Sequence, residues 1–247
     1  MWPREHGAYG QLGAPLLGAL LLHTPTVGAL SLAAAACCAF LANEPLLVVL
    51  GQRGERMRAS YGPVAARRLM LALLGAVVSG GFGLARGSQA TLEIAGLAAI
   101  PAACLATLAW SRRQHTFGGE LVAAIAFPGA AAPVLVADGV SVGNAVMIWA
   151  AWAVGYACCV VAVHRVLAHR RRPRAQIDRV LALGFASIVV TAVVLHAALP
   201  VASIAIPLVV VALYLVVRPP PAKRMRAIGV ALVIASCGSL AFLIALR

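Results

Sequence analysis

Long apolar runs alternate with short polar gaps along the whole chain, and the length of the runs decides the fold. A helix needs about 20 mainly apolar residues to cross the hydrocarbon core of a bilayer. Such stretches lie at Ala8–Thr24, Val27–Leu50, Leu69–Ala85, Leu92–Trp110, Glu120–Ala137, Ala145–Leu167, Val180–Ala198, Val201–Val217 and Ala227–Leu246. The pattern predicts an all-α, polytopic membrane helix bundle of about nine transmembrane helices, a single transmembrane domain over residues 1–247. Its softest points are the Gly-rich first run and the Leu199-Pro200 junction, where two crossings or one re-entrant hairpin satisfy the pattern equally. The first run starts near Ala8 behind a short polar head and reads as an anchor rather than a cleaved signal.

Composition closes off the soluble alternatives. Hydrophobic residues make up 62% of the chain, charged residues 11%, and the mean hydropathy is +0.95. So few charges cannot cover the surface of a water-soluble domain. The six cysteines, Cys37, Cys38, Cys104, Cys158, Cys159 and Cys237, all lie in apolar stretches without zinc-type spacing and are expected to be reduced packing residues. A net charge of +13 would suggest nucleic acid in a soluble protein, but aromatic residues are only 6% and the basic residues fall in the gaps between spans. That distribution is a topology signal, and no nucleic-acid partner is expected.

With the amino terminus in the cytoplasm, the inside segments carry Arg4, then Arg53, Arg56, Arg58, Arg67 and Arg68, then Arg112 and Arg113, then Arg165 to Arg179, then Arg218 to Arg226. Only Arg86 and Arg247 fall outside. A wrong helix count would scramble this asymmetry, so the positive-inside rule supports nine spans independently of hydropathy. The tract His169-Arg170-Arg171-Arg172-Pro173-Arg174 reads as an anchor on anionic headgroups.

Two stretches echo each other. Arg4-Glu5-His6-Gly7 before span one resembles Arg113-Gln114-His115-Thr116 before span five, and Cys37-Cys38 followed by Asn43-Glu44 parallels Cys158-Cys159 followed by His164-Arg165. A duplication would be a parallel repeat of 1–110 and 111–217 with a ninth helix, 227–246, added. Chance matches between Ala-rich helices are the alternative.

Ionisable groups inside a membrane are costly and mark sites or partners. Glu44 leads them, beside Asn43 and before Pro45, whose missing N–H frees a carbonyl one turn earlier. His6 and Gln11 mark the mouth of span one, Glu120 that of span five, and His164 and Arg165 the end of span six. Glu44, His6 and His164 are the candidate catalytic residues. Asn43, Gln11, Arg53, Arg112, Arg113, Glu120 and Arg165 are the candidate substrate contacts, the guanidinium fork being suited to phosphate. The plainer reading makes Glu44 a carboxylate neutralised by an arginine and the arginines topology signals. Glu93 and Asp138 read as solvated helix-start residues at the outer ends, and His23 and His196 as isolated outer histidines that a haem or metal reading would have to join. No metal site is expected, and no cofactor can be named.

Pro3-Arg4-Glu5-His6-Gly7-Ala8-Tyr9 and Leu41-Ala42-Asn43-Glu44-Pro45-Leu46 resemble the signatures of the YwiC-like bacterial membrane proteins, which implies a multi-pass protein of the bacterial cytoplasmic membrane. The nine spans, the polar motifs ending spans two and six, and Trp110-Ser111-Arg112-Arg113 are also similar to the UbiA superfamily of membrane prenyltransferases. That resemblance implies a UbiA-like architecture and transfer of a prenyl group from a magnesium-bound diphosphate to an aromatic acceptor. Asn43 and Glu44 match the start of its first acidic motif, but Leu47 and Gly51 stand at the later acidic positions. Span six offers His164, Arg165 and His169 in place of carboxylates. The expected function is therefore a UbiA-like transferase acting at the cytoplasmic side on an isoprenoid or other lipid-like anionic substrate. The alternatives are a transporter or permease with Glu44 as its proton-coupling site, and a non-catalytic factor binding haem, quinone or another protein.

Overall fold

A computed structural model describes residues 6–169, 175–197, 199–221 and 225–246. The side chain of His6, with Arg4, Arg170–Arg172, Arg174, Lys223, Arg224 and Arg247, lies outside the described residues. Among those described, the chain is helical without strands: α1 (His6–Leu22), α2 (Val27–Val49), α3 (Glu55–Arg86), α4 (Gln89–Trp110), α5 (Phe117–Gly129), α6 (Ala131–Ala137), α7 (Val142–His169), α8 (Ala175–Val194), α9 (Ile206–Val217) and α10 (Met225–Ala245). Eight helical segments are long and apolar enough to cross a membrane, taking α5 with α6 as one and Pro200–Val217 as another, and the shorter α1 is apolar as well. The protein is thus a multi-pass helical membrane bundle.

Three boundaries differ from the hydropathy reading, each for a local reason. The third helix starts at Glu55, not Leu69, because Arg56, Arg58, Arg67 and Arg68 are good helix formers that hydropathy leaves out. Its 32 residues run about 48 Å, well beyond a core of about 30 Å, and carry the basic first turns past the membrane. The fifth span breaks between α5 and α6 just after Pro128-Gly129. Around Leu199-Pro200, a 3-10 segment Pro200–Ala205 leads into α9, and α8 and Pro200–Val217 are each long enough for a full crossing.

At the centre runs α7, packed against α5, α6, α9 and the Pro200–Ala205 turn. Its buried residues Ala145, Ile148, Trp152, Tyr156 and Cys159 recur at helical spacing on one face. Between helices in lipid, close packing replaces the hydrophobic drive, so small residues set the contacts. On the α2–α3 pair a Cβ at Gly83 would meet Leu32 Cγ at 2.8 Å and the Gly28 carbonyl at 3.0 Å, so only glycine permits this approach. By contrast α3, α4 and α8 keep most of their apolar side chains exposed to the bilayer.

Polar contacts pin the bundle at two further levels. At the outer end Asp138 caps α6 and accepts the Thr26 N–H at 2.7 Å, tying the start of α2 to the end of α6. It does not begin a helix, as its position in the sequence suggested. Mid-membrane, Tyr156 stacks on Trp152 and donates its hydroxyl to the Gly10 carbonyl at 2.8 Å, which joins α7 to α1.

Candidate functional site

The arginine-rich end, which the positive-inside rule assigns to the cytoplasm, is built from the turns between helices. After α2 the chain reverses through Gly51 (φ +69°) and Gly54 (φ +96°), backbone conformations that glycine adopts without strain. This turn folds Arg53 back onto its own helix. Its Nε and Nη2 donate to Glu44 Oε1 at 2.9 Å and Oε2 at 2.6 Å, a bidentate fork. Gln52 in the same turn donates to the Ala109 carbonyl at 2.7 Å, a side-chain donor added to the backbone bonds at the end of α4. The α2–α3 and α4–α5 turns are thereby joined.

The end of α4 has an unusual residue. Arg112 N–H bonds the Ala109 carbonyl at 3.2 Å and Arg113 N–H the Leu108 carbonyl at 2.8 Å, the two bonds of a Schellman cap. Its left-handed position, normally glycine, is Arg112 at φ +60°. A residue with a Cβ there costs about 1–2 kcal/mol. Both Arg112 and Arg113 are exposed, and neither guanidinium has an ion-pair partner among the described residues. Thr116 then opens α5, its hydroxyl accepting the Gly119 N–H at 3.2 Å, and so fixes where Phe117 and Glu120 emerge.

Across from that helix start stands α7. His164 Nε2 lies 2.8 Å from Glu120 Oε2. Because a carboxylate is the acceptor, Nε2 is the donor in this bond, and Nδ1 takes no part in it. The Phe117 ring packs edge-on to the imidazole, with centroids 5.1 Å apart, and limits its tilt. The next residue, Arg165, is buried and paired with Asp178 at the start of α8. Polar contacts therefore run around the arginine-rich end from α2 through α4, α5 and α7 to α8.

Beneath them lies an aromatic layer. Tyr9 on α1 meets Phe40 on α2 edge-on at 5.0 Å, and Phe40 meets Phe127 on α5 at 5.7 Å. Glu44 is one turn from Phe40 and Glu120 two turns from Phe127, each on the same helix face. Both carboxylates thus stand on the cytoplasmic side of one aromatic floor. Asn43 and Gln11 are half-buried near this level, without side-chain hydrogen bonds among the described residues.

A profile of the YwiC-like protein family matches residues 2–136, more than half of the chain. The chain belongs to that family. Comparison with curated proteins and with solved structures gives no match. The YwiC-like match spans α1 to α6 and so includes Glu44, Arg53, Arg112, Arg113 and Glu120, while His164 and Arg165 lie beyond it.

In this YwiC-like bundle the candidates divide into two groups. Glu44 and Arg53 hold each other, and Arg165 is engaged with Asp178. Glu120 and His164 are brought together, while Arg112 and Arg113 are exposed on the turn that leads into α5. The magnesium site of UbiA-type enzymes does not fit these residues: Arg53 takes both Glu44 oxygens, Leu47 and Gly51 offer no carboxylate, and His164 faces Glu120. Among the described residues no group of three or more His, Cys, Asp or Glu side chains is placed to hold a metal. Gln52, Phe117 and Asp178 escaped the sequence reading. Only Asp178 had a signal there, as a lone acid in the first turn after a basic tract.

Proposed function

We propose that this protein is a membrane transferase that binds the anionic head of a lipid-like substrate at its cytoplasmic end. Arg112 and Arg113 hold a phosphate or diphosphate head; the bond from the transferred group to that head breaks, the head leaves with the bonding pair as an anion held by the arginines, and the acceptor forms the new bond while His164, oriented by Glu120, takes its proton. The observation that carries this reading is Arg112: an exposed guanidinium, without an ion-pair partner among the described residues, kept at a backbone position where glycine would cost less. The Glu120–His164 pair supplies an oriented imidazole. The sequence resemblance to UbiA-type enzymes lends the reaction class only the support of analogy. A permease using Glu44 as proton carrier is less well supported, because Arg53 occupies both of its oxygens.

The test is to incubate the protein in nanodiscs with radiolabelled isoprenoid phosphates and diphosphates and a panel of aromatic and polar-lipid acceptors. Wild type forms a labelled product, and His164→Ala slows it about 100-fold. Proton-driven uptake of a solute into proteoliposomes, with no labelled product in either format, would replace the transferase by a transporter.

A further inference from the structure

Between α5 and α7 the bundle has an apolar groove of about 370 Å³, lined by Ile125, Val146, Trp149, Ala150, Ala153 and Ala157 among others. Ile125 and Val154 on its edges are exposed, so it opens sideways into the bilayer. Its one polar lining group is already satisfied: Trp149 Nε1 donates to the Ile125 carbonyl at 2.8 Å, which fixes the indole as an apolar wall. The volume is in the range of small-molecule sites, about 300–1,000 Å³.

The groove shares a helix face with the polar site. Positions 146, 150, 153 and 157 form one face of α7, and continuing at the same spacing reaches 161 and then His164. From Ala157 to His164 the helix rises about 10 Å, and from Val146 to Ala157 about 16 Å. On the opposite wall α5 carries Ile125 in the groove and Phe117 against the His164 ring. A molecule lying in the groove with its head toward His164 would follow this α7 face along α5, through a large part of a core about 30 Å thick.

We infer that this groove holds the hydrocarbon tail of the substrate, so that the substrate is an anionic lipid entering sideways from the membrane between α5 and α7. The groove lining excludes a polar solute, and the exposed Arg112 and Arg113 of the α4–α5 turn, which have no ion-pair partner among the described residues, complement an anionic head at the arginine-rich end. The inference rests on the reading of Arg112, Arg113 and His164 as the head site, and the test separates the two.

Two probes serve: butyl phosphate, which reports the head site alone, and hexadecyl phosphate bearing a mid-tail diazirine. In nanodiscs, illumination of the long probe labels peptides of the α5–α7 groove in wild type. Ala150→Phe and Ala153→Phe, which fill the groove from its half-exposed rim, cut that labelling about tenfold. Phosphorus NMR shows butyl phosphate binding equally to wild type and both variants. Butyl phosphate binding with labelling spread evenly over α3, α4 and α8 would keep the head site and overturn the tail site. Loss of both signals in folded wild type would overturn both readings. A dimer that Ala153→Phe dissociates, with no groove labelling, would give the groove to a second copy of the chain.

Discussion

Two carboxylates stand at the arginine-rich end, and their settings are opposite. The Glu44 side chain is 6% exposed and its Arg53 partner 26%, whereas Glu120 is 38% exposed and His164 30%. Glu44 is held by two charge-assisted bonds from a turn that two glycines shape for the purpose, and Glu120 by one bond to a residue on another helix. A charge buried in lipid must be neutralised or it destabilises the fold. A half-exposed pair contributes little to stability and remains open to a substrate. The comparison supports the proposal that Glu44–Arg53 holds the α2–α3 turn while the chemistry falls to Glu120–His164.

The sharpest way to break that assignment is to remove Arg53. Arg53→Ala leaves Glu44 buried and uncompensated, and is expected to destabilise the protein by about 3 kcal/mol, at the low end for a buried pair because Arg53 partly meets solvent. Glu44→Gln combined with Arg53→Met removes both charges and should lose less than about 1 kcal/mol. Unfolding midpoints in one detergent decide it. If the double variant is as unstable as the single, Glu44 is needed for more than balancing Arg53.

How far this was legible in the sequence follows from the same residues. Runs of apolar residues announce helices because the bilayer demands internal hydrogen bonding, so the helical bundle was readable. The pairing of Glu44 with Arg53 was not: it needs the reversal at Gly51 and Gly54, and hydropathy carries no information on where a turn points. Glu120 and His164 were both picked out as polar residues at span ends, but 44 positions separate them and only the packing of α5 on α7 makes them a pair. Arg165 looked like a phosphate ligand until Asp178, the one acid in the first turn of α8, took it.

A second, smaller effect sharpens the comparison from the side of the arginines. Arg112→Gly relieves a left-handed strain of about 1–2 kcal/mol while adding some chain entropy to the unfolded state, so a net gain of about 0.5–1 kcal/mol is expected. Butyl phosphate affinity should fall about tenfold in the same variant, as a charge-assisted contact is lost. A residue that stabilises when deleted but weakens binding is placed for binding. Unchanged affinity with the same gain in stability would reduce Arg112 to a topology residue.

The smallest effect on stability is expected at Glu120, and it is the most telling. Glu120→Gln keeps an oxygen that can accept the His164 N–H, so geometry is preserved while the negative charge is removed. For a pair this exposed the change in unfolding free energy should stay within about 1 kcal/mol. Product formation should nevertheless fall about 100-fold, because the carboxylate both fixes the tautomer and stabilises the imidazolium that forms when His164 takes a proton. His164→Ala should cost about as much, and the double variant scarcely more, since the two residues act as one unit. Additive losses in the double variant would mean that Glu120 and His164 act separately. The contrast with Glu44, where loss of the partner is expected to destabilise the protein and loss of the pair scarcely to do so, would then rest on exposure alone.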